Sequence, residues 1–209
     1  MTKHFYVFGS LCRGEIDQYS DVDLLACVSG ESSPNIDKSK FSVYTHSRLE
    51  ALWQEGNPFA WHLSLESRLV FSSDGSDFIV ELGSPQKYKK MYDDCSKFMK
   101  LFNESYNALL EDVSSRVFHL SCMFLAMRNF ATCYSLGLGK PIFSRYSPLM
   151  IDDAIKLNKE VFDLFVQARI LSTRGLGDNL NSNDIKIMSE NAPQILNWMN
   201  RIMLGINHE

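Results

Sequence analysis

The stretch from Phe5 to Leu25 constrains the fold of this chain most strongly. It contains the apolar run Phe-Tyr-Val-Phe, the pair Gly9-Ser10, a short spacer, and then Ser-Asp-Val-Asp-Leu-Leu. Two short apolar runs around a Gly-Ser turn predict strands at 4–8 and 21–28, with a few helical residues between them that close at Gly14. Strand side chains alternate between faces, so Asp21 and Asp23 are expected to share one face.

Two carboxylates on one face repel each other, and a shared cation relieves that repulsion. Oxygen ligands favour hard ions, so Asp21 and Asp23 predict a site for Mg²⁺ or Mn²⁺. Mg²⁺ commonly takes one or two protein carboxylates and completes its shell with substrate phosphates. Gly9 lets backbone N–H groups approach an anion, and Ser10 adds a hydroxyl donor. The stretch therefore predicts a phosphate-binding turn that faces a metal-binding pair.

The residues FGS at 8–10, RG at 13–14 and SDVDLL at 20–25 resemble the signature of the DNA polymerase β-like nucleotidyltransferase superfamily. That signature is a GS pair followed by D-x-D and an apolar residue. The resemblance implies that Gly9 and Ser10 hold a triphosphate, with Arg13 and Ser20 beside them as nucleotide-binding residues. It also implies that Asp21 and Asp23 are catalytic and bind the metal.

The superfamily usually has a third carboxylate on the strand after the D-x-D. The matching strand here, 40–45, has Ser42 at the position facing the pair, and serine cannot act as a carboxylate. We assign Glu66 as the third catalytic acid. Asp37, just before the strand, and complete loss of the third acid are the alternatives.

The helix that carries Glu66 and the residue Arg13 lead to two further predictions. Asn57-Pro58 predicts the start of the helix that carries Glu66, with His62 one turn earlier on the same face. Arg13 either contacts a phosphate or pairs with a neighbouring carboxylate and holds the turn.

The pattern changes after residue 84 from short strands to long amphipathic helices. Helices are predicted from Tyr88 to Leu109, from Ser114 or Ser115 to about 137, over 147–157, over 159–174, and from Ser182 or Asn183 to Leu204. The expected fold class is α+β, with a small mixed sheet and flanking helices at 1–84, the catalytic domain. An antiparallel helical bundle is expected at 85–209, as the acceptor or partner domain. Its layout resembles the C-terminal domains of kanamycin nucleotidyltransferase-like proteins and bundles related to HEPN.

Charge is unevenly distributed between these two parts. Residues 1–84 carry six Lys and Arg against twelve Asp and Glu, a net of −6, and residues 85–209 carry fifteen against thirteen, a net of +2. A long nucleic acid needs a basic stripe, so no such partner is expected. No apolar run is long enough for a membrane helix and the first residues lack a signal-peptide pattern, so no membrane partner and a cytoplasmic location are expected.

The resemblance and the charge together predict a transferase. It would move a nucleoside monophosphate from an NTP, with ATP the expected donor, to a hydroxyl of a small molecule or partner protein, releasing pyrophosphate. Two alternative functions remain open: a degenerate protein that binds a nucleotide or partner without turnover, and an antitoxin-type enzyme that modifies a HEPN partner. A second copy of the chain is a further candidate partner, through a homodimer formed by the helical half.

Overall fold

The computed structural model describes residues 2–30, 36–111 and 114–206. The chain divides into two compact units, Met1–Lys89 and Lys90–Glu209. The first combines a sheet with short helices and the second is helical, which confirms the predicted α+β class with a mixed sheet and flanking helices. None of the described helices is both long enough and apolar enough to cross a bilayer.

The first unit is built on a four-stranded sheet. Its strands are β1 (Lys3–Phe8), β2 (Asp23–Val28), β3 (Phe41–Thr45) and β4 (Ser67–Ser72). The strand order is β3-β2-β1-β4, with β1 antiparallel to both neighbours and β2 parallel to β3. The central strand β1 therefore brings the start of β2 and the start of β4 to its own carboxyl end.

The prediction that β2 begins at Asp21 is wrong. Pairing between β1 and β2 starts with Phe8 opposite Asp23, because β1 ends at Phe8 and the chain turns into a helix at Ser10. Asp21 and Val22 have no β1 residue to pair with and lie ahead of the strand. Strand alternation therefore does not determine the direction of the Asp21 side chain.

One face of the sheet packs against helices. The helices of this unit are α1 (Ser10–Arg13), α2 (His46–Gln54), α3 (Pro58–Glu66) and α4 (Phe78–Glu81). The core combines alternate residues of β1 and β2 with apolar side chains of α2 and α3: Tyr6, Phe8, Leu25, Cys27, Leu49, Leu52, Trp53, Ala60 and Leu63. As predicted, Asn57 caps α3, with its side chain accepting from the Phe59 N–H and Pro58 in the first turn.

The segment after α4 is hydrogen-bonded to this core, and the first unit extends past residue 84. The Trp53 indole donates to the carbonyl of Gly83 at 2.9 Å, and the Trp61 indole donates to that of Gln86 at 3.1 Å. The Gln86 N–H donates to the carbonyl of Trp53 at 2.9 Å. Two indoles therefore attach residues 83–86 to the ends of α2 and α3.

The second unit contains five described helices, α5 (Met91–Glu111), α6 (Arg116–Gly137), α7 (Ser147–Met150), α8 (Lys159–Arg174) and α9 (Ser182–Gly205). Helix α6 packs against the other four and buries residues all around its circumference, as a central helix must. The predicted helix over 147–157 is too long, because Ile151 is extended and ends α7 at Met150. Arrangement as an antiparallel bundle stays a prediction.

Candidate functional site

The candidate site lies where β1 ends at Gly9. This glycine has φ 76° and ψ −140°, a backbone conformation that strongly favours glycine. Its N–H donates to the carbonyl of Glu66 at 3.2 Å, and its carbonyl accepts from the N–H groups of Cys12 and Arg13 at 3.1 and 3.3 Å. The turn is therefore bonded to the end of α3 on one side and to α1 on the other.

The carboxylate of Asp23 lies against this turn. A Cβ built on Gly9 would lie 2.5 Å from Asp23 Oδ2, closer than Cβ atoms approach other atoms. Asp23 is the first residue of β2 and pairs with Phe8, directly before the turn. The structure therefore brings Gly9 and Asp23 into contact, and only a residue without a side chain leaves room for this carboxylate.

The other residues that the resemblance assigns to nucleotide or metal binding take separate positions around the turn. Ser10 is the first residue of α1, and Asp21 is exposed in the segment ahead of β2. The hydroxyl of Ser20 donates to Asp17 Oδ1 at 3.1 Å and accepts from the Asp17 N–H at 2.9 Å. This local turn orients the segment that carries Asp21.

Arg13 and Glu66 form an ion pair beside the turn, between Arg13 Nη1 and Glu66 Oε2. His62 Nε2 lies 2.9 Å from the same Glu66 oxygen, and Arg13 Nε donates to Glu15 Oε2 at 3.0 Å. The side chains of Arg13, His62 and Glu66 are each no more than 17% exposed. Arg13 therefore pairs with neighbouring carboxylates, which is one of its two predicted alternatives. A contact between Arg13 and a phosphate stays a prediction.

The environment of Glu66 keeps it ionised. Burial raises the pKa of its carboxyl, but the contacts with His62 and Arg13 outweigh burial and hold the pKa below its ordinary value. A carboxylate in such an environment is a weak base. Its assignment as the third catalytic acid stays a prediction, and the geometry adds a second role, holding Arg13 against the turn.

Ser42 and Asp37 flank the same end of the sheet. Ser42 is paired with Leu25, which is two residues after Asp23, so Ser42 shares the face of Asp23, as expected. Asp37 is exposed and accepts from the Ser39 hydroxyl at 2.6 Å and the Ser39 N–H at 3.0 Å, which lower the pKa of its carboxyl. Asp37 therefore shapes the turn before β3, and its role as a third acid stays a prediction.

Among residues 2–30, 36–111 and 114–206, no three His, Cys, Asp or Glu side chains are grouped to hold a metal ion. The donor chemistry of the proposed pair nevertheless suits a hard ion, because Mg²⁺ needs few protein carboxylates when phosphates and water supply the rest. Asp21 and Asp23 are the residues that would hold it.

Sequence reasoning did not predict which carboxylate Arg13 binds. The spacing of His62 and Glu66 on one helix face was a usable signal for their contact. The Arg13–Glu66 pair joins residues 53 positions apart, and no local pattern connects them. The comparisons give no further assignment, because no protein-family model and no curated protein matches the chain.

Proposed function

We propose that this chain is a metal-dependent nucleotidyltransferase that moves a nucleoside monophosphate from an NTP to an acceptor hydroxyl and releases pyrophosphate. The observation that carries the proposal is the contact between Gly9 and the carboxylate of Asp23 at the end of β1. The turn at Gly9 can approach phosphates, and the carboxylate of Asp23 beside it can bind a cation. Phosphoryl transfer requires these two groups to lie next to each other.

Each candidate site residue would have its own role in the reaction. The Ser10 hydroxyl would hold the phosphates, Gly9 would let the turn approach them closely because it has no side chain, and Ser20 would orient the segment of Asp21. Asp21 and Asp23 would hold Mg²⁺ or Mn²⁺. Bound there, the ion would supply neutralisation of phosphate charge and a lower pKa for the acceptor hydroxyl.

Glu66 would act as a positioning residue in this scheme. Its carboxylate binds Arg13, which belongs to α1, and its backbone carbonyl binds the N–H of Gly9. Both bonds stabilise the same turn from the side of α3. The turn would therefore keep its shape when phosphates bind and leave, which lowers the reorganisation cost of the reaction.

Charge favours a small acceptor. The net of −6 over residues 1–84 would repel a long polyanion, whereas a single triphosphate arrives with its charge largely neutralised by metal ions. The proposed acceptor is therefore a small molecule or a side chain of a partner protein.

A second candidate function is nucleotide or partner binding without turnover. It is favoured by Ser42 on the Asp23 face, where a carboxylate is expected, and by the pairing of Glu66 with Arg13. Such a protein would keep the phosphate-binding turn and lack the base that activates an acceptor.

Pyrophosphate release separates the two candidates. The full chain is incubated with each NTP and Mg²⁺ or Mn²⁺, with pools of small alcohols and proteins as acceptors. We expect release that Asp21→Asn or Asp23→Asn lowers by roughly 100-fold or more, whereas Asp93→Asn, an exposed change on α5, leaves it unchanged. Nucleotide binding by calorimetry without release in any pool would overturn the transferase and support the binding protein.

A further inference from the structure

A second polar cluster lies at the opposite end of the sheet from Gly9. It contains His4 near the start of β1, His46 at the start of α2, and Asp74 after β4. The length of a six-residue strand separates the two ends, roughly 17 Å. The cluster is therefore separate from the proposed nucleotide site.

Two imidazole rings face each other in this cluster. His4 Nδ1 lies 3.0 Å from His46 Nε2, which is the distance of a hydrogen bond. On the other side of its ring, His4 Nε2 lies 3.3 Å from Asp74 Oδ1 and 3.1 Å from Ser76 Oγ. His46 Nδ1 lies 3.4 Å from Ser29 Oγ. The contacts therefore run from α2 through β1 to the segment after β4.

The contact between the two rings has room for one hydrogen. A neutral imidazole carries one N–H group and a protonated imidazole carries two. Whichever ring donates, a pair that has bound one proton or none can keep a single hydrogen between the facing nitrogens. When both rings are protonated, two N–H groups point at each other across 3.0 Å. The second proton therefore breaks the contact between His4 and His46.

His46 is the ring that has space to move. His4 is 2% exposed and stacks on Phe78 with ring centroids 5.8 Å apart, whereas His46 is only partly buried. His46 also lines a cavity of about 470 Å³ beside the cluster. This cavity is the space into which the His46 side chain can rotate.

Three features oppose a proton on His46 in its present position. Burial and the neighbouring His4 hold the pKa of His46 below its ordinary value of 6.5. His46 is also the first residue of the nine-residue helix α2, whose N-terminus carries partial positive charge and disfavours a cation. The backbone of Val28 and the carboxylates of Glu50 and Asp74 act on this pKa in the opposite direction and do not outweigh burial and His4.

Glu50 offers a protonated His46 a second position. It lies four residues after His46, so the two side chains share one face of α2, and both line the cavity. Asp74 also lines the cavity, but its Oδ1 already accepts from the Ser72 and Ser76 hydroxyls at 2.7 and 3.0 Å. Glu50 is therefore the carboxylate toward which His46 can turn.

The groups around His46 are polar or acidic apart from the facing imidazole. They come from four parts of the first unit: His4 of β1, Glu50 of α2, Asp74 after β4, and the Val28 backbone and Ser29 hydroxyl at the end of β2. Glu81 of α4 lines the same cavity, and none of the described residues that line it is a Lys or an Arg. A protonated His46 that has left His4 therefore meets carboxylates and no second positive side chain.

We infer that His46 is a proton switch with two positions. The neutral ring bonds His4 and links the start of α2 to the central strand of the sheet. The protonated ring leaves His4, turns into the cavity and pairs with Glu50. It then loses its edge-to-face contact with Phe78, in which the ring centroids are 4.5 Å apart. Acid therefore releases the start of α2 from β1 and changes the shape of the cavity.

The test is NMR of the full chain with ¹⁵N-labelled histidine, recorded from neutral pH down to the pH at which His46 is protonated. A His46→Gln variant identifies the His46 signals. We expect His46 to titrate with a midpoint below pH 6.5, and the His4 signals to change at the same midpoint because the contact is lost. The nuclear Overhauser effect between the His46 and Phe78 rings should be present while His46 is neutral and absent once it is protonated.

Glu50→Gln tests the second position. This variant should lower the midpoint of His46 by roughly 0.2–0.4 pH units, the effect of an ion pair at this helix spacing. Glu81→Gln is the matched control, because Glu81 lines the same cavity from α4, and it should shift the midpoint by less than half as much.

Four outcomes would each overturn the inference. They are a His46 midpoint at or above 6.5, a Phe78 contact that persists after His46 is protonated, equal shifts in Glu50→Gln and Glu81→Gln, and loss of all signals of the folded chain together at the His46 midpoint. The last outcome would mean that acid unfolds the chain instead of moving one side chain.

Discussion

Arg13 and Glu66, which lie 53 positions apart in the sequence, form an ion pair that joins α1 to the end of α3. The backbone of Glu66 bonds Gly9 on the other side of the same turn. Two independent bonds from one residue therefore hold the segment that connects β1 to α1. A change in either residue should therefore affect the free energy of unfolding, its dependence on pH and the proposed activity.

Arg13→Gln should lower the free energy of unfolding by about 1–3 kcal/mol, measured by urea denaturation. The change leaves the mostly buried Glu66 carboxylate with His62 as the remaining described side chain in contact with it. Arg48→Gln is the control, because Arg48 pairs with Glu55 at 3.2 Å on an exposed surface. This control should lower the free energy of unfolding by less than about 1 kcal/mol. Equal losses in the two variants would show that the Arg13 pair adds nothing beyond a surface contact.

The same carboxylate should make stability fall in acid. The folded state holds the pKa of Glu66 below its ordinary value of 4.5, so the unfolded chain binds the proton more readily. The resulting stabilisation is fully present above pH 4.5 and is lost as the pH falls through the folded-state pKa. Urea denaturation of the unchanged chain and of Glu66→Gln at a series of pH values measures it. The free-energy difference between the two should shrink in acid, and a difference that is constant with pH would contradict the ionised state.

Activity should distinguish a positioning role of Glu66 from metal binding. If Glu66 acts through Arg13, then Arg13→Gln, Glu66→Gln and the double variant should lower pyrophosphate release by similar factors, because each breaks the same link. A Glu66→Gln loss more than tenfold larger than that of Arg13→Gln would instead assign Glu66 to the metal or the base. Metal titration of each variant adds a second readout, since a positioning residue leaves the metal requirement nearly unchanged.

The features of the fold that the sequence predicts correctly are those that depend on neighbouring residues. The first strand, the Gly-Ser turn and the Asn57-Pro58 helix start are each set by neighbouring residues, and the structure has all three. The start of β2 is different, because it depends on where β1 ends and therefore on a partner strand. Strand alternation consequently does not determine the direction of the Asp21 side chain, which lies ahead of the strand.

Contacts between distant segments account for the rest. The contacts that link Ser29, His46, His4 and Asp74 join four separate segments of the chain, and each of these residues is unremarkable within its own segment. The prediction of helix over 147–157 failed for a related reason. The Ile155 N–H donates to the carbonyl of Pro148 at 2.9 Å, which is a tertiary choice of partner rather than a helical one.

Comparing alanine substitutions at Gly9 and at Gly14 separates the effect of the Asp23 carboxylate from the effect of backbone strain. Both have positive φ, 76° and 73°, but a Cβ on Gly9 meets Asp23 Oδ2 at 2.5 Å, whereas one on Gly14 meets nothing within 4 Å. Gly14→Ala should cost about 1 kcal/mol of unfolding free energy from backbone strain alone. Gly9→Ala should cost about 1–3 kcal/mol more, because the carboxylate must also move and the backbone lies in a region that other residues rarely adopt.

Asp23→Ala supplies the last step of that comparison. Combined with Gly9→Ala it removes the atom that the new Cβ would meet, so the double variant should recover part of the loss while the strain of the backbone remains. Urea denaturation of the four proteins in this cycle gives the coupling free energy directly. Strict additivity of the two changes would mean that Asp23 does not lie against Gly9 in solution, and the turn would then lack the carboxylate on which the proposed nucleotide chemistry depends.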